Sequence, residues 1–294
     1  MSTSPPLSHI QSVARSQATV VPILGMHRSG TSMVTRALNL LGLPLGQPLI
    51  KPQEDNPKGF WENEFFYEVD LRLLHAMGRH VSGYGTLEQL LEVPGLSYQV
   101  ERSSENLDVL ESYVTEQFST STLWGWKDPR TVLLFPFWLN SLTELGFRRI
   151  LPAIISRHPW SVVHSLSRRT DLEALAPTLG CSVEELALQM WTAYSHILLD
   201  ISDETNCLIS PNEWYHDERS ARSELTRCCD YLGIVANPAN MDQALAWLDP
   251  GAIHHREIGS LEALSGGREA LQLHEDLSAR ARIQRATWRL SVAA

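Results

Sequence analysis

The sequence is poor in positive charge and in cysteine, and each shortage excludes a class of protein. It carries 24 Lys and Arg against 34 Asp and Glu, a formal net charge of −10. Because nucleic-acid binders present a basic face, this balance argues against a nucleic-acid partner. The four cysteines have no metal-ligand spacing, which argues against a metal site and against a disulfide framework. Free thiols predict a reducing, cytoplasmic location.

Long apolar runs are also missing. No stretch approaches the roughly 18 apolar residues that a membrane span requires, so no transmembrane segment is expected. The first 17 residues are polar and lack the apolar core of a secretory signal, and we interpret them as a flexible tail. The remaining length, residues 18–294, suits a single large domain.

Apolar, β-rich runs and helical periodicity alternate along this domain. The predicted strands are 19–24, 122–126, 149–156 and 206–210. The predicted helices are 31–43, 62–77, 105–118, 132–145, 160–169, 182–201, 219–232 and 268–292. This order predicts an α/β fold of the P-loop-like, three-layer type, with a central parallel sheet flanked by helices. Residues 47–118, between the first helix and the second strand, predict a largely helical insertion on the acceptor side of the sheet.

The first strand leads into a glycine-rich loop, GMHRSGTS at residues 25–32. Gly25 and Gly30 permit a tight turn and a close approach of an anion, and the N–H groups from Ser29 to Ser32 begin a helix. A nucleoside-triphosphate loop has lysine immediately before its Ser/Thr, where this loop has Thr31. Arg28 supplies a cation earlier in the loop. The loop therefore predicts an anion site for a ligand other than a metal-bound triphosphate.

Three segments together resemble the sulfotransferases that use 3′-phosphoadenosine 5′-phosphosulfate (PAPS). The loop resembles their 5′-phosphosulfate loop, with Arg28 at the Lys/Arg position. SRHPWSVVHS supplies Arg157 and Ser165 at the spacing of the residues that hold the donor's 3′-phosphate. The segment LISPNEWYHDERSARSELTRCCDYLGI matches a third family region, although Pro211 stands where a tyrosine is common. GWKDPR and NPKGFWEN also resemble bacterial members.

The resemblance implies PAPS as co-substrate, 3′,5′-bisphosphoadenosine (PAP) as product, and no metal. The donor-binding residues that it implies come from the loop, from the SRHPWSVVHS segment and from a basic stretch near the C-terminus. They are Gly25, His27, Arg28, Ser29, Gly30, Thr31, Ser32, Arg157, Ser165 and Arg256. Arg28 also faces the leaving group in this interpretation. Lys127, at the end of the second predicted strand, is the candidate contact for the sulfonate oxygens. Asp128 is expected to orient Lys127 or Arg130.

The acceptor hydroxyl needs a base, and the resemblance points to a glutamate after the first helix. Glu62 is the first candidate, although its charge at a helix start is an equal alternative explanation. Glu54, Asp55 and Glu64 compete with it. His75 is a weaker candidate because it is expected in the core.

The sequence thus predicts sulfuryl transfer from PAPS to a hydroxyl, with a small molecule or glycan as acceptor partner. Aromatic residues of the insertion could stack on such an acceptor or pack the insertion against the sheet; they are Phe60, Trp61, Phe65, Phe66 and Tyr67. Two alternatives stay open: a P-loop nucleotide kinase or NTPase, and a non-catalytic PAP-binding protein on the same fold.

Overall fold

The computed structural model describes residues 15–53, 56, 58–99, 104–248 and 260–293. Three sequence candidates, Glu54, Asp55 and Arg256, lie outside these residues. The described chain begins inside the predicted tail, where residues 15–17 are helical. Arg15 donates hydrogen bonds to Glu111 at 2.6 Å and to Thr115 at 2.9 Å. The last part of the predicted tail is therefore attached to the domain.

The centre of the described chain is a parallel sheet. Its strands are β1 (Thr19–Leu24), β2 (Leu123–Lys127), β3 (Arg149–Ile150), β4 (Ala153–Ser156) and β5 (Leu208–Pro211). The order is β2-β1-β4-β5, with the short β3 beside β1. All pairings are parallel, so the carboxyl ends of the strands meet at one edge. The fold class predicted from the sequence is confirmed.

The helices flank this sheet. They are α1 (Thr31–Leu41), α2 (Glu64–Ala76), α3 (Leu87–Leu91), α4 (Val93–Gln99), α5 (Ser104–Phe118), α6 (Phe135–Glu144), α7 (Pro159–Leu166), α8 (Thr170–Leu175), α9 (Val183–Glu204), α10 (Glu218–Leu232), α11 (Pro238–Leu248) and α12 (Gly267–Ala293). None of these described helices is long and apolar enough to cross a membrane. The predicted insertion contains α2 to α5.

Alternate residues of β1 face two separate cores. Val20 and Leu24 belong to the larger cluster, with side chains of the insertion and of α6, α9 and α12. Val21 and Ile23 belong to the smaller one, with side chains of α1, α10 and α11. Every residue of β1 is buried, as expected for a strand that is covered on both faces. These two layers of helices hold β1 rigidly, and with it the loop that follows.

Some boundaries differ from the sequence prediction. The predicted strand 149–156 is broken between β3 and β4, where Pro152 has no N–H to give to the ladder. The helices α3 and α4 occupy a section in which turn signals outnumber periodic residues, and α3 begins with a capping box at Thr86. Neither helix was predicted, and the same is true of α8 and α11.

Candidate active site

The loop after β1 places an uncapped helix N-terminus at the carboxyl edge of the sheet. Gly30 is the N-cap of α1, with φ at 87°, and no side chain caps this described helix. The N–H groups from Gly30 to Met33 precede the first helical bond, from Val34 N to Gly30 O, so the helix itself leaves them unpaired. Ser29 N–H is already bonded to Met26 O, at 3.1 Å. The first turn of α1 therefore presents donors to an anion, but the Ser29 N–H is used inside the loop.

The two glycines of the loop are required for different reasons. A Cβ on Gly30 would lie 2.1 Å from the Asn212 side-chain nitrogen, and its positive φ also disfavours other residues. A Cβ on Gly25 would lie 2.5 Å from Ile155 O and 2.7 Å from the Thr31 methyl group. Gly25 thus permits the close packing of β1, β4 and α1.

Three residues that the sequence singled out at distant positions come together beside this loop. Arg28 has φ at 65° and donates its Nε–H to Ser165 Oγ on α7, at 2.9 Å. Arg157, after β4, donates from Nη1 to the carbonyl of Arg28, also at 2.9 Å. A non-glycine residue in the left-handed region is strained, and such strain is concentrated at functional sites. Two guanidinium groups therefore meet within one small area of an acidic protein.

A cleft of about 280 Å³ opens at this place. Its wall includes Arg28, Gly30, Thr31 and Ser32 from the loop and Arg157 from the end of β4. The rest of the lining was not predicted from the sequence; it consists of Met33, Asn56, Lys58, Gly59, Trp247 and Leu248. The cleft therefore combines cations, a helix N-terminus and an aromatic ring.

The side chain of His27 contacts the insertion and α9. Its Nε2 lies 2.9 Å from the carbonyl of Ser82, and its ring packs edge-on against Tyr84 and Tyr194. Burial, and then Arg130 nearby, lower the pKa of His27 to about 3, so the ring is neutral at physiological pH. The described wall of the cleft does not include His27. Its side chain attaches the loop to the insertion.

The second part of the site is a buried ion pair at the end of β2. Lys127 Nζ donates to Glu62 Oε1 at 2.7 Å, and the two residues are only 1% and 6% exposed. Burial raises the pKa of Glu62, while the charge of Lys127 opposes that rise. Lys127 is therefore a buried residue and not a surface lysine. Neither side chain belongs to the described wall of the cleft.

The residues after Lys127 form a second buried pair. Asp128 accepts from Nε and Nη2 of Arg130, at 2.7 and 2.6 Å, and also from the Arg130 backbone N–H. The Arg130 guanidinium lies over the ring of Tyr67, and one of its nitrogens is 3.9 Å from Glu62. Asp128 therefore orients Arg130, as expected, and the Arg130 guanidinium also lies close to the Glu62 carboxylate.

Asp70 is a buried member of this cluster that sequence reasoning missed. It is 0% exposed and accepts from Trp138 Nε1 at 2.7 Å and from Thr131 Oγ1 at 2.8 Å. Thr131 in turn accepts from Trp126 Nε1, on the residue before Lys127. A polar residue in an amphipathic helix gives no signal of burial, so only the packing of α2 reveals this network.

The insertion's aromatic residues mostly serve packing. Phe66 stacks on Trp126 with ring centroids 4.5 Å apart, and Phe65 stacks on Tyr113 at 4.1 Å. Trp61, in contrast, faces Trp247 beside the cleft. His75 is exposed, so the expectation that it lies in the core was wrong: at the end of α2 it points to solvent, where an imidazole keeps its hydration.

Neither a protein-family model nor a curated protein matches the chain. Among solved structures, the chain is similar to the sulfotransferase domain from the Synechococcus PCC 7002 olefin synthase, with a TM-score of 0.49 and 18% identity over 88% of this chain and 94% of that one. It is also similar to the sulfotransferase domain from the curacin biosynthetic pathway, with a TM-score of 0.47 and 15% identity over 89% of this chain and 98% of that one. At such identities the likeness concerns the fold, and an activity has to be argued from the side chains of the site.

Proposed function

We propose that this protein is a sulfotransferase that moves a sulfuryl group from PAPS to a hydroxyl of an acceptor. The observation that carries the proposal is the meeting of Arg28, Ser165 and Arg157 beside the uncapped N-terminus of α1. The resemblance to the PAPS-using sulfotransferases implied that Arg157 and Ser165 act together on a phosphate. Their convergence on the anion loop supports that reading.

Arg157 suits a contact with the donor's 3′-phosphate. Burial lowers the pKa of its guanidinium; Glu213 opposes that shift, and Arg28 adds to it. A bound dianion would stabilise the positive charge that burial penalises. A charge-assisted contact of this kind, with a serine hydroxyl beside it, gives both affinity and selectivity for a phosphate on the ribose.

The loop and Arg28 would act on the leaving group. As the bond from sulfur to the 5′-phosphate oxygen breaks, negative charge grows on that oxygen. The N–H groups of Thr31 and Ser32, their hydroxyls and the Arg28 guanidinium would stabilise this charge. Such fixed donors can do so without a metal ion, which fits a loop with Thr31 in the lysine position.

Glu62 and Lys127 would act on the acceptor side. The acceptor oxygen forms its bond to sulfur while Glu62 takes the hydroxyl proton, and Lys127 contacts the sulfonate oxygens. Burial, which raises the pKa of Glu62, makes this carboxylate a stronger base. Because the two side chains are paired and enclosed, this role requires the pair to open when donor and acceptor bind.

The kinase or NTPase alternative has less support from the same residues. Asp128 is the acidic residue that ends a strand region near the loop, where a metal-binding aspartate would be sought. Both of its oxygens are bonded to Arg130, and it is 0% exposed. This arrangement leaves it poorly placed to hold magnesium. The non-catalytic alternative would retain the anion site without needing the Glu62–Lys127 pair.

The acceptor that we propose is a small-molecule or glycan hydroxyl, and the protein would act in the cytoplasm. The test is an acceptor screen with sulfur-labelled PAPS over glycans, phenols, lipids and tyrosine peptides. We expect label in one acceptor class with the wild-type protein and almost none with Lys127→Met. Magnesium-dependent ATP hydrolysis without any sulfuryl transfer would contradict the proposal.

A further inference from the structure

The insertion contributes a rigid turn to the cleft. Asn56 donates its side-chain N–H to the carbonyl of Gly59 at 2.8 Å, and Gly59 N–H donates to the carbonyl of Asn56 at 2.9 Å. Trp61 donates its indole N–H to the carbonyl of Lys58, at 3.0 Å. Three hydrogen bonds thus fix the backbone around Lys58. The side chain of Lys58 is exposed.

Two tryptophans from distant parts of the chain support this turn. Trp61 has φ at 60°, and its ring lies under the guanidinium of Arg36 on α1, at 4.3 Å. It also meets the ring of Trp247 edge-on, at 5.8 Å. Trp247 is itself held to the first turn of α1, because its indole N–H donates to the carbonyl of Met33 at 3.2 Å. The strained Trp61 therefore anchors the turn to the helix that carries the anion loop.

The Lys58 ammonium lies over the ring of Trp247, 5.6 Å from its centre, and both residues line the cleft with Arg28 and Arg157. A cation over an aromatic face is attracted to the ring, which restricts the positions that the side chain adopts. Lys58 thus lines the same cleft as the N-terminal turn of α1.

We propose that Lys58 and Trp247 form a clamp that binds the donor's 5′ anionic group from the insertion side. This inference rests on the proposed function for the identity of the donor. It assigns a binding role to a segment for which the sequence offered only an acceptor cap. In consequence, the insertion contacts the donor as well as the acceptor.

The test compares two lysines of the same segment. Lys51 is also exposed but lies outside the described wall of the cleft, so Lys51→Met is a matched control. We expect Lys58→Met to weaken PAP binding about tenfold in calorimetry, while Lys51→Met leaves it unchanged. AMP carries the same 5′-phosphate, and its affinity should fall by the same factor. The difference in affinity between Lys58→Met and the wild type should become smaller as the salt concentration rises.

A double-mutant cycle tests the partnership with Trp247. Trp247→Leu should weaken PAP binding by a similar factor, and the double variant should bind no worse than either single one. Equal PAP affinities of Lys58→Met and Lys51→Met would overturn the clamp, even if Trp247→Leu does not fold. If Lys58→Met weakened the binding of PAP but not of AMP, Lys58 would not bind the 5′ group. Equal wild-type affinity for PAP and AMP would instead overturn the donor identity. The clamp would then still be tested by the AMP affinities of Lys58→Met and Lys51→Met.

Discussion

Asp70 offers the sharpest test of the buried network around Lys127. Two neutral donors, Trp138 and Thr131, contact its carboxylate, and no lysine or arginine of the described residues forms a salt bridge with it. Burial, together with the charge of Asp128, raises the pKa of Asp70 well above its ordinary value. The folded protein therefore holds a proton at Asp70 more tightly than the unfolded chain does.

The sign of the pH effect follows from this shift. Asp70 makes its full contribution to the free energy of unfolding at pH values below its pKa in the unfolded chain, about 3.9. That contribution is lost as the pH rises through the raised pKa of Asp70 in the folded protein. Asp70→Asn is neutral at every pH. Its amide oxygen can still accept from Trp138 Nε1, while its amide N–H would donate to Thr131 Oγ1 in place of the bond that Thr131 donates in the wild type. The free energy of unfolding of the wild type should therefore fall, relative to Asp70→Asn, by up to about 1.4 kcal/mol for each pH unit within that window.

Urea unfolding of both proteins at a series of pH values that rises from the unfolded pKa, about 3.9, measures this difference. Other titrating groups contribute to both proteins, so the difference isolates Asp70. Asp70→Ala is a useful control, because it leaves two buried donors without a partner and should cost about 2–5 kcal/mol at every pH. Parallel pH profiles of the wild type and Asp70→Asn would refute the reasoning.

Three further predictions concern the site and the core. Glu62→Gln should abolish most transfer while PAP still binds, and Glu64→Gln should leave transfer unchanged; an active Glu62→Gln enzyme would move the base elsewhere. Arg28→Ala should lower the rate of transfer by about 10²-fold, more than it weakens PAP binding, because the guanidinium acts on charge that grows in the transition state; a rate within about twofold of wild type would remove that role. Phe66→Ala, at a 0% exposed position stacked on Trp126, should lower the free energy of unfolding in urea by about 3–5 kcal/mol, and a loss under about 1 kcal/mol would contradict this packing.

The sequence was most informative where one chain segment carries its own pattern. The run TVVPIL predicts β1 to the residue, because a strand buried on both faces is apolar throughout. The glycine-rich loop and the spacing of Arg157 and Ser165 also lie within short segments. For these reasons the parallel sheet agrees with what the sequence predicted. The contact of Ser165 with Arg28 was not predicted, and the shared role of Arg157 and Ser165 on a phosphate stays a prediction.

The missed features depend on contacts between distant segments. Lys58 and Trp247 are almost two hundred residues apart, and nothing local to either residue indicates that they share a wall. Asp70 resembles any polar residue of a helix until α2 is packed against Trp138. The enclosure of the Glu62–Lys127 pair was equally hidden, because burial of a charge depends on what surrounds both partners.

The central claim is that the cleft recognises a phosphate on the ribose 3′-oxygen, and calorimetry with PAP and AMP in the absence of magnesium tests it most directly. We predict that the wild type binds PAP about 30- to 1000-fold more tightly than AMP. Arg157→Ala should remove most of this preference and leave AMP binding nearly unchanged, while the exposed Arg148→Ala should behave as wild type. Equal affinity of the wild-type protein for PAP and AMP would contradict the account.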